Sequence, residues 1–207
     1  MLMASQQFWI ELRRHRCELA DRIESLPSEQ WDSRSWCEGW RVRDVLGHLV
    51  NLAESTNVSM LISQIRSFES PDRTLDRAAR RLGEEPVPDL AARLRSAADG
   101  RFHVIGSPAS VALGEVFVHG ADALRPAGVD LDVSPVEVLP ILNAYRRVGW
   151  LAFHAAPSRG RRLVATDAGW AQGQGPQVNG RAVDLLLLLA NRRQVLPLLE
   201  GPGTEGL

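Results

Sequence analysis

Glu115 and His119 stand four residues apart in a segment that reads as helix, so their side chains share one face about one turn apart. That spacing suits two ligands of one metal ion. His48 lies on a second candidate helix, four residues after Asp44, where a helical bundle could bring it opposite the pair. Two histidines and a glutamate form a catalytic zinc set, because three protein ligands leave a fourth tetrahedral position for water or substrate. Zinc is the expected divalent ion, although the same nitrogen and oxygen donors also suit nickel, cobalt or iron. A Glu-x-x-x-His pair also occurs on helices as a plain exposed hydrogen bond, so a metal-free reading stays open on spacing alone. The neighbours Val116, Phe117 and Val118 argue against exposure, since ionisable groups among apolar residues need a partner.

Asp122 follows His119 by three residues and falls on the same face. It is either a carboxylate that orients the His119 ring or the ion-pair partner of a neighbouring arginine such as Arg125. His15, His103 and His154 have no comparable carboxylate at helical spacing facing an apolar run, and they read as surface or hydrogen-bonded core residues. Trp31, Trp36, Trp40 and Trp150 read as packing residues rather than a substrate cage.

Composition narrows the chemistry further. The 207 residues are 44% hydrophobic with a formal net charge of -1, which is globular and gives no basic surface for nucleic acid. All 24 Lys and Arg positions are arginine, so Schiff-base, pyridoxal-phosphate and Walker-type phosphate chemistry, each of which needs a lysine, fall away. Most of the Arg-Arg pairs, Arg80-Arg81 among them, read as solvated helix faces. Cys17 and Cys37 are too few for a disulfide framework. Met1 to Ile10 lacks a secretory leader's basic flank and apolar core, and no stretch approaches the roughly 20 apolar residues of a membrane helix. A soluble cytoplasmic protein is expected.

Hydrophobic periodicity supplies the elements that must position these residues. A first helix is predicted from about Ser5 to Leu26, ending before Pro27. After a turn-rich connector, Val42 opens a long helix that carries His48 and is expected to end near Phe68. Shorter helices follow over Arg73–Leu82 and Asp89–Ala98, separated by Pro86 and Pro88, with Asp89 or the preceding turn as cap. Ser107-Pro108 starts the helix of Glu115 and His119, which runs to Arg125 and stops at Pro126 and Gly128. Ser134-Pro135 opens another helix toward His154, with Pro140 marking a kink or a later true start. Arg161 to Thr166 then reads as a strand, Gly169 to Gly180 as hairpin, and Ala182 to Ala190 as helix. The fold class is therefore mainly α: a helical bundle over 1–126 and a small α+β module over 127–207.

Three runs carry a family resemblance: Cys37-Glu38-Gly39-Trp40-Arg41-Val42-Arg43-Asp44-Val45-Leu46-Gly47-His48-Leu49, Gly114-Glu115-Val116-Phe117-Val118-His119-Gly120-Ala121-Asp122, and Val178-Asn179-Gly180-Arg181-Ala182-Val183-Asp184-Leu185-Leu186-Leu187. Together they resemble the mycothiol-dependent maleylpyruvate isomerase family. Its metal-binding N-terminal domain is a DinB-like four-helix bundle, and its C-terminal part is a sterol-carrier-like α+β module. The resemblance implies zinc on His48, Glu115 and His119, with the sulfur of mycothiol in the open position. There the thiol is held as metal-bound thiolate, the nucleophilic form. The implied reactions are cis-trans isomerisation of a conjugated alkene, by addition, rotation and elimination, or transfer of the thiol to another small electrophile.

The chain departs from the isomerases in Glu38, where proline is usual, in a short segment between His48 and Glu115, and in Ala190-Asn191-Arg192-Arg193, where Gly-Arg is usual. Zinc and a small-molecule thiol therefore carry over better than the particular electrophile. The motifs assign neither a catalytic side chain beyond the metal ligands nor the arginines that would hold a substrate carboxylate. The alternative from another class is a non-catalytic metal-binding DinB-like module, distinguished by a protein side chain that closes the fourth position.

Overall fold

Apolar side chains at three- and four-residue spacing drive the first part of the chain into helices. The computed structural model describes residues 2–56, 70–103, 107–152 and 159–207, with side chains at all of these but 2–5, 71 and 147–152. They form two compact units, Met1–Leu131 and Asp132–Leu207. In the first, α1 spans Leu2–Glu24, the single turn α2 Ser28–Trp31, α3 Val42–Glu54, α4 Pro71–Gly83, α5 Val87–Ser96 and α6 Ser110–Leu124.

Helix α1 buries Leu12, Leu19, Ala20 and Ile23 and packs on α5 and α6, while α3 lies against α4, α5 and α6. Helices α3 and α6 are the most enclosed of these. Helix α6 buries 13 of its 15 residues, and α3 buries Val42, the run from Asp44 to Val50, and Ala53. A helix apolar on nearly every side must sit inside the bundle. This central packing carries the ionisable residues of α3 and α6 inward with their apolar neighbours. Gly47 lets α3 and α4 approach closely, since a Cβ there would lie 2.7 Å from the Ala79 carbonyl oxygen.

Several element ends differ from the sequence reading, each for a local reason. Helix α3 stops at Glu54, because Ser55 takes extended backbone and its hydroxyl donates to the Asn51 carbonyl at 2.6 Å. The expected unbroken helix to Phe68 is thus interrupted, and 57–69 lie outside the described residues. Helix α5 begins at Val87, with Pro88 and Asp89 in its first turn, so Pro88 starts the helix instead of separating it and Asp89 is not the cap. Helix α6 starts at Ser110, just past the Ser107-Pro108 signal, and ends in a 3-10 turn over Arg125–Ala127 with Gly128 left-handed.

The second unit begins with α7, Pro135–Ala152, which continues through Pro140, so the later start that Pro140 offered is not taken. Strands β1 Arg162–Ala165, β2 Ala171–Gln172 and β3 Gln177–Gly180 form a sheet of order β2-β1-β3. Residues 169–180 are not one hairpin. Strand β2 pairs antiparallel with β1, and β3 runs parallel to β1 on its other edge. Helix α8, Ala182–Leu189, packs on α7, and its leucines join Ile141, Leu142, Leu163 and Val178 in the buried core. The protein is mainly α with a small α+β C-terminal part. Among the described residues no helix is long and apolar enough to cross a membrane.

Candidate metal centre

The connector between α2 and α3 is tied down by its own polar groups. Ser35 N and Oγ both donate to the Trp40 carbonyl at 2.9 Å, Trp40 N donates to the Cys37 carbonyl at 3.0 Å, and Trp36 N donates to the Asp122 carbonyl of α6 at 2.9 Å. Helix α3 then begins at Val42, and its third residue is Asp44, whose buried carboxylate accepts from Arg41 N at 2.9 Å, from Nε at 3.0 Å and from Nη2 at 2.9 Å. One turn later comes His48, on the face turned toward α6.

The structure brings His48, Glu115 and His119 together, with one ligand atom of each within 4.8 Å of the others. Glu115 Oε2 lies 3.3 Å from His119 Nε2 and 3.6 Å from His48 Nε2, and the two imidazole rings meet edge-on at 4.6 Å. Both histidines are buried, while the Glu115 side chain keeps 28% of its exposure. On the other side of His119, Nδ1 lies 3.0 Å from Asp122 Oδ2, whose side chain is fully buried. In the neutral ring, a proton on Nδ1 shared with Asp122 leaves the Nε2 lone pair on the side of Glu115.

Burial alone would raise the Glu115 carboxyl, but His119 and His48 more than offset this and hold it well below the usual carboxylate range. For His119 burial opposes the charged form, yet Asp122, Cys37 and Glu115 carry its basicity well above the ordinary imidazole value. His48 moves the other way: burial first, then the charge of His119, lowers it despite Glu115 and Asp122. A neutral His48 and a charged Glu115 are the protonation states that metal ligation requires, whereas His119 would have to give up a proton to a bound ion.

Neither ring nitrogen of His48 has a hydrogen-bond partner among the described residues, although the residue is only 5% exposed. Leaving a buried polar group unsatisfied costs on the order of 1–3 kcal/mol, and a bound cation would remove that cost. The donor set and the imidazole without a hydrogen bond among the described residues therefore fit a divalent metal.

Two neighbours were not marked as site residues by spacing. Cys37 places its sulfur within 4.8 Å of ligand atoms of His119 and Asp122. Trp40, expected as packing, does pack, but on the site: its ring centroid is 5.0 Å from that of His48 and 5.8 Å from that of His119, nearly parallel to the latter at 29°. Their place in the run that leads to His48 was the available signal. Both cysteines are free thiols. Of the remaining histidines, His15 is buried edge-on against Phe117 and His103 Nδ1 lies 3.3 Å from the Arg101 carbonyl, away from this centre. His154 lies outside the described residues.

The family model described as the mycothiol maleylpyruvate isomerase N-terminal domain matches residues 12–124, more than half of the 207-residue chain. The chain belongs to this family. The mycothiol maleylpyruvate isomerase N-terminal match takes in the connector, α3 and the whole of α6, and so every residue of the centre just described. Two solved structures share the fold. A crystal structure of a histidine-to-alanine variant of the mycothiol-dependent maleylpyruvate isomerase aligns with a TM-score of 0.66 at 15% identity, covering 97% of this chain and 94% of that one. The crystal structure of the mycothiol-dependent maleylpyruvate isomerase gives a TM-score of 0.60 at 16% identity over the same shares. A comparison of the sequence with curated proteins gives no match.

Proposed function

We propose that this chain is a zinc- and mycothiol-dependent transferase or cis-trans isomerase that acts on a small electrophile. The observation that carries the reading is His48, a buried imidazole with neither nitrogen hydrogen-bonded among the described residues, facing a carboxylate oxygen that His119 also faces. The family and the two isomerase folds support the thiol and the reaction class. His48, Glu115 and His119 would hold the ion. Zinc supplies Lewis acidity there, favouring the thiolate form of a thiol at its open position.

The chain's own residues account for the rest. Asp122 keeps the His119 ring in one orientation by accepting its Nδ1 proton, and Glu115 reduces the charge that a divalent ion brings into an enclosed space. Glu115 is also the ligand with an exposed edge, so a small thiol and its electrophile reach the centre from that side. With a conjugated cis alkene, the thiol adds to one carbon, the former double bond rotates, and elimination returns the trans alkene and the free thiol. With a leaving group, the product is the thiol conjugate.

The test is elemental analysis of the untagged, chelator-free chain beside His48→Ala and His119→Ala, followed by mycothiol-dependent isomerisation of maleylpyruvate and conjugation of other small electrophiles. About one zinc per chain, lost in both variants, is expected. A folded wild type that holds no metal even after zinc is added would overturn the reading.

A further inference from the structure

Trp40 touches both candidate histidine ligands from outside the set, and its position is held from a different helix. The indole Nε1–H donates to Asp76 Oδ1 of α4 at 2.7 Å. Arg80, one turn further along α4, donates its Nε to both oxygens of that carboxylate, at 3.0 and 3.1 Å. A hydrogen bond to an ionised acceptor is shorter and about twice as strong as a neutral one, so Asp76 fixes the indole more firmly than water would. The loop that presents Trp40 is shaped for this. Gly39 has a φ of +79°, a left-handed conformation that other residues adopt at a cost, and the Arg80 guanidinium lies 3.0 Å from where its Cβ would be.

We propose that Asp76, braced by Arg80, is a positioning residue of the metal centre. It holds the Trp40 ring against His48 and His119 and thereby sets the direction in which both imidazoles face Glu115. Trp40 is only 9% exposed, and its ring lies over one imidazole at 29° and against the other at 48°. A swing of the indole would therefore free both rings at once. Asp76 itself is 46% exposed and contributes no apolar core, so its role is orientation and not folding. The effect on affinity rests on the metal reading above; the orientation of the rings does not.

Nuclear magnetic resonance of the full-length, metal-free chain reads the geometry, and zinc titration against a chromophoric chelator reads its consequence. In Asp76→Ala the indole N–H signal, assigned with Trp40→Phe, moves upfield, the ring signals of His48 and His119 shift, and zinc affinity falls about tenfold. In Asp76→Asn, whose amide oxygen still accepts from the indole, the ring signals stay near those of the wild type and affinity within about threefold. Histidine signals that do not move in Asp76→Ala, or an Asn variant displaced as far as the Ala variant, would overturn the proposal. A wild type that binds no zinc would count against the metal reading, and the histidine signals would still decide the role of Asp76.

Discussion

Helices α3 and α8 begin in the same way and then part. Each has an arginine with extended backbone at its N-cap, Arg41 and Arg181, and an aspartate three residues later, Asp44 and Asp184, buried to 1% exposure. In each the arginine closes over the aspartate: Arg41 Nε to Asp44 Oδ2 at 3.0 Å, Arg181 Nε to Asp184 Oδ2 at 2.9 Å. One turn on, α3 places the buried His48, whose ring nitrogens make no hydrogen bond among the described residues, and the corresponding residue of α8 is Leu188, buried in an all-leucine stretch. A buried charge closed by its own neighbour in the chain builds a helix end. A buried polar ring left open by its neighbours is a place prepared for something else.

Exchanging the two residues tests that contrast most severely. Leu188→His would put an imidazole in place of a buried leucine, costing about 2–4 kcal/mol in denaturant unfolding without creating zinc binding. The reverse change, His48→Leu, is expected to leave the metal-free protein at least as stable as wild type while abolishing zinc uptake. If His48→Leu destabilised the metal-free chain as Leu188→His does, His48 would be an ordinary core residue.

Removing the shared start device gives smaller and unequal effects. Asp44→Ala and Asp184→Ala should each lower stability by about 1–2 kcal/mol, through loss of the first-turn carboxylate and its arginine. Only Asp44→Ala should also weaken zinc, because His48 stands one turn after it. Equal zinc affinities in the two variants would break the comparison.

The smallest effect is the dependence on pH. In the metal-free chain His119 keeps its proton well above the ordinary imidazole value. A folded-state value raised above the unfolded one adds stability that is fully present below the unfolded value, about 6.5, and lost as pH rises through the folded value. Denaturation midpoints of the metal-free protein should therefore fall on going from about pH 6 to 9, with a shallower fall in Asp122→Asn. A bound zinc ion would displace that proton, so zinc affinity should rise over the same range.

Much of this was legible along the chain because it depends on near neighbours. The apolar period of α1, α3 and α6, the cap-then-proline start near α6 and the four-residue spacing of Glu115 and His119 follow from helical geometry within one segment. Other features depend on competition between equally local signals. Pro88 was read as a break and opens α5, and the Ser55 hydroxyl takes up the Asn51 carbonyl and ends α3 before its apolar stripe runs out. Strand β3 was assigned to a hairpin with β2, because a turn-rich segment does not reveal that its second arm pairs parallel with β1.

By itself the sequence determined the mainly α class, the family motifs and the donor types of the centre, all carried by residue chemistry at short spacing. Tertiary structure alone decided that His48, 67 positions before Glu115, meets its carboxylate at 3.6 Å with neither ring nitrogen hydrogen-bonded among the described residues. It also decided that Cys37 approaches His119, and that Asp76 of α4 holds Trp40 over both histidines. These contacts join segments far apart in the chain, and burial of the apolar faces of α3, α4 and α6 sets their geometry, which no single segment encodes.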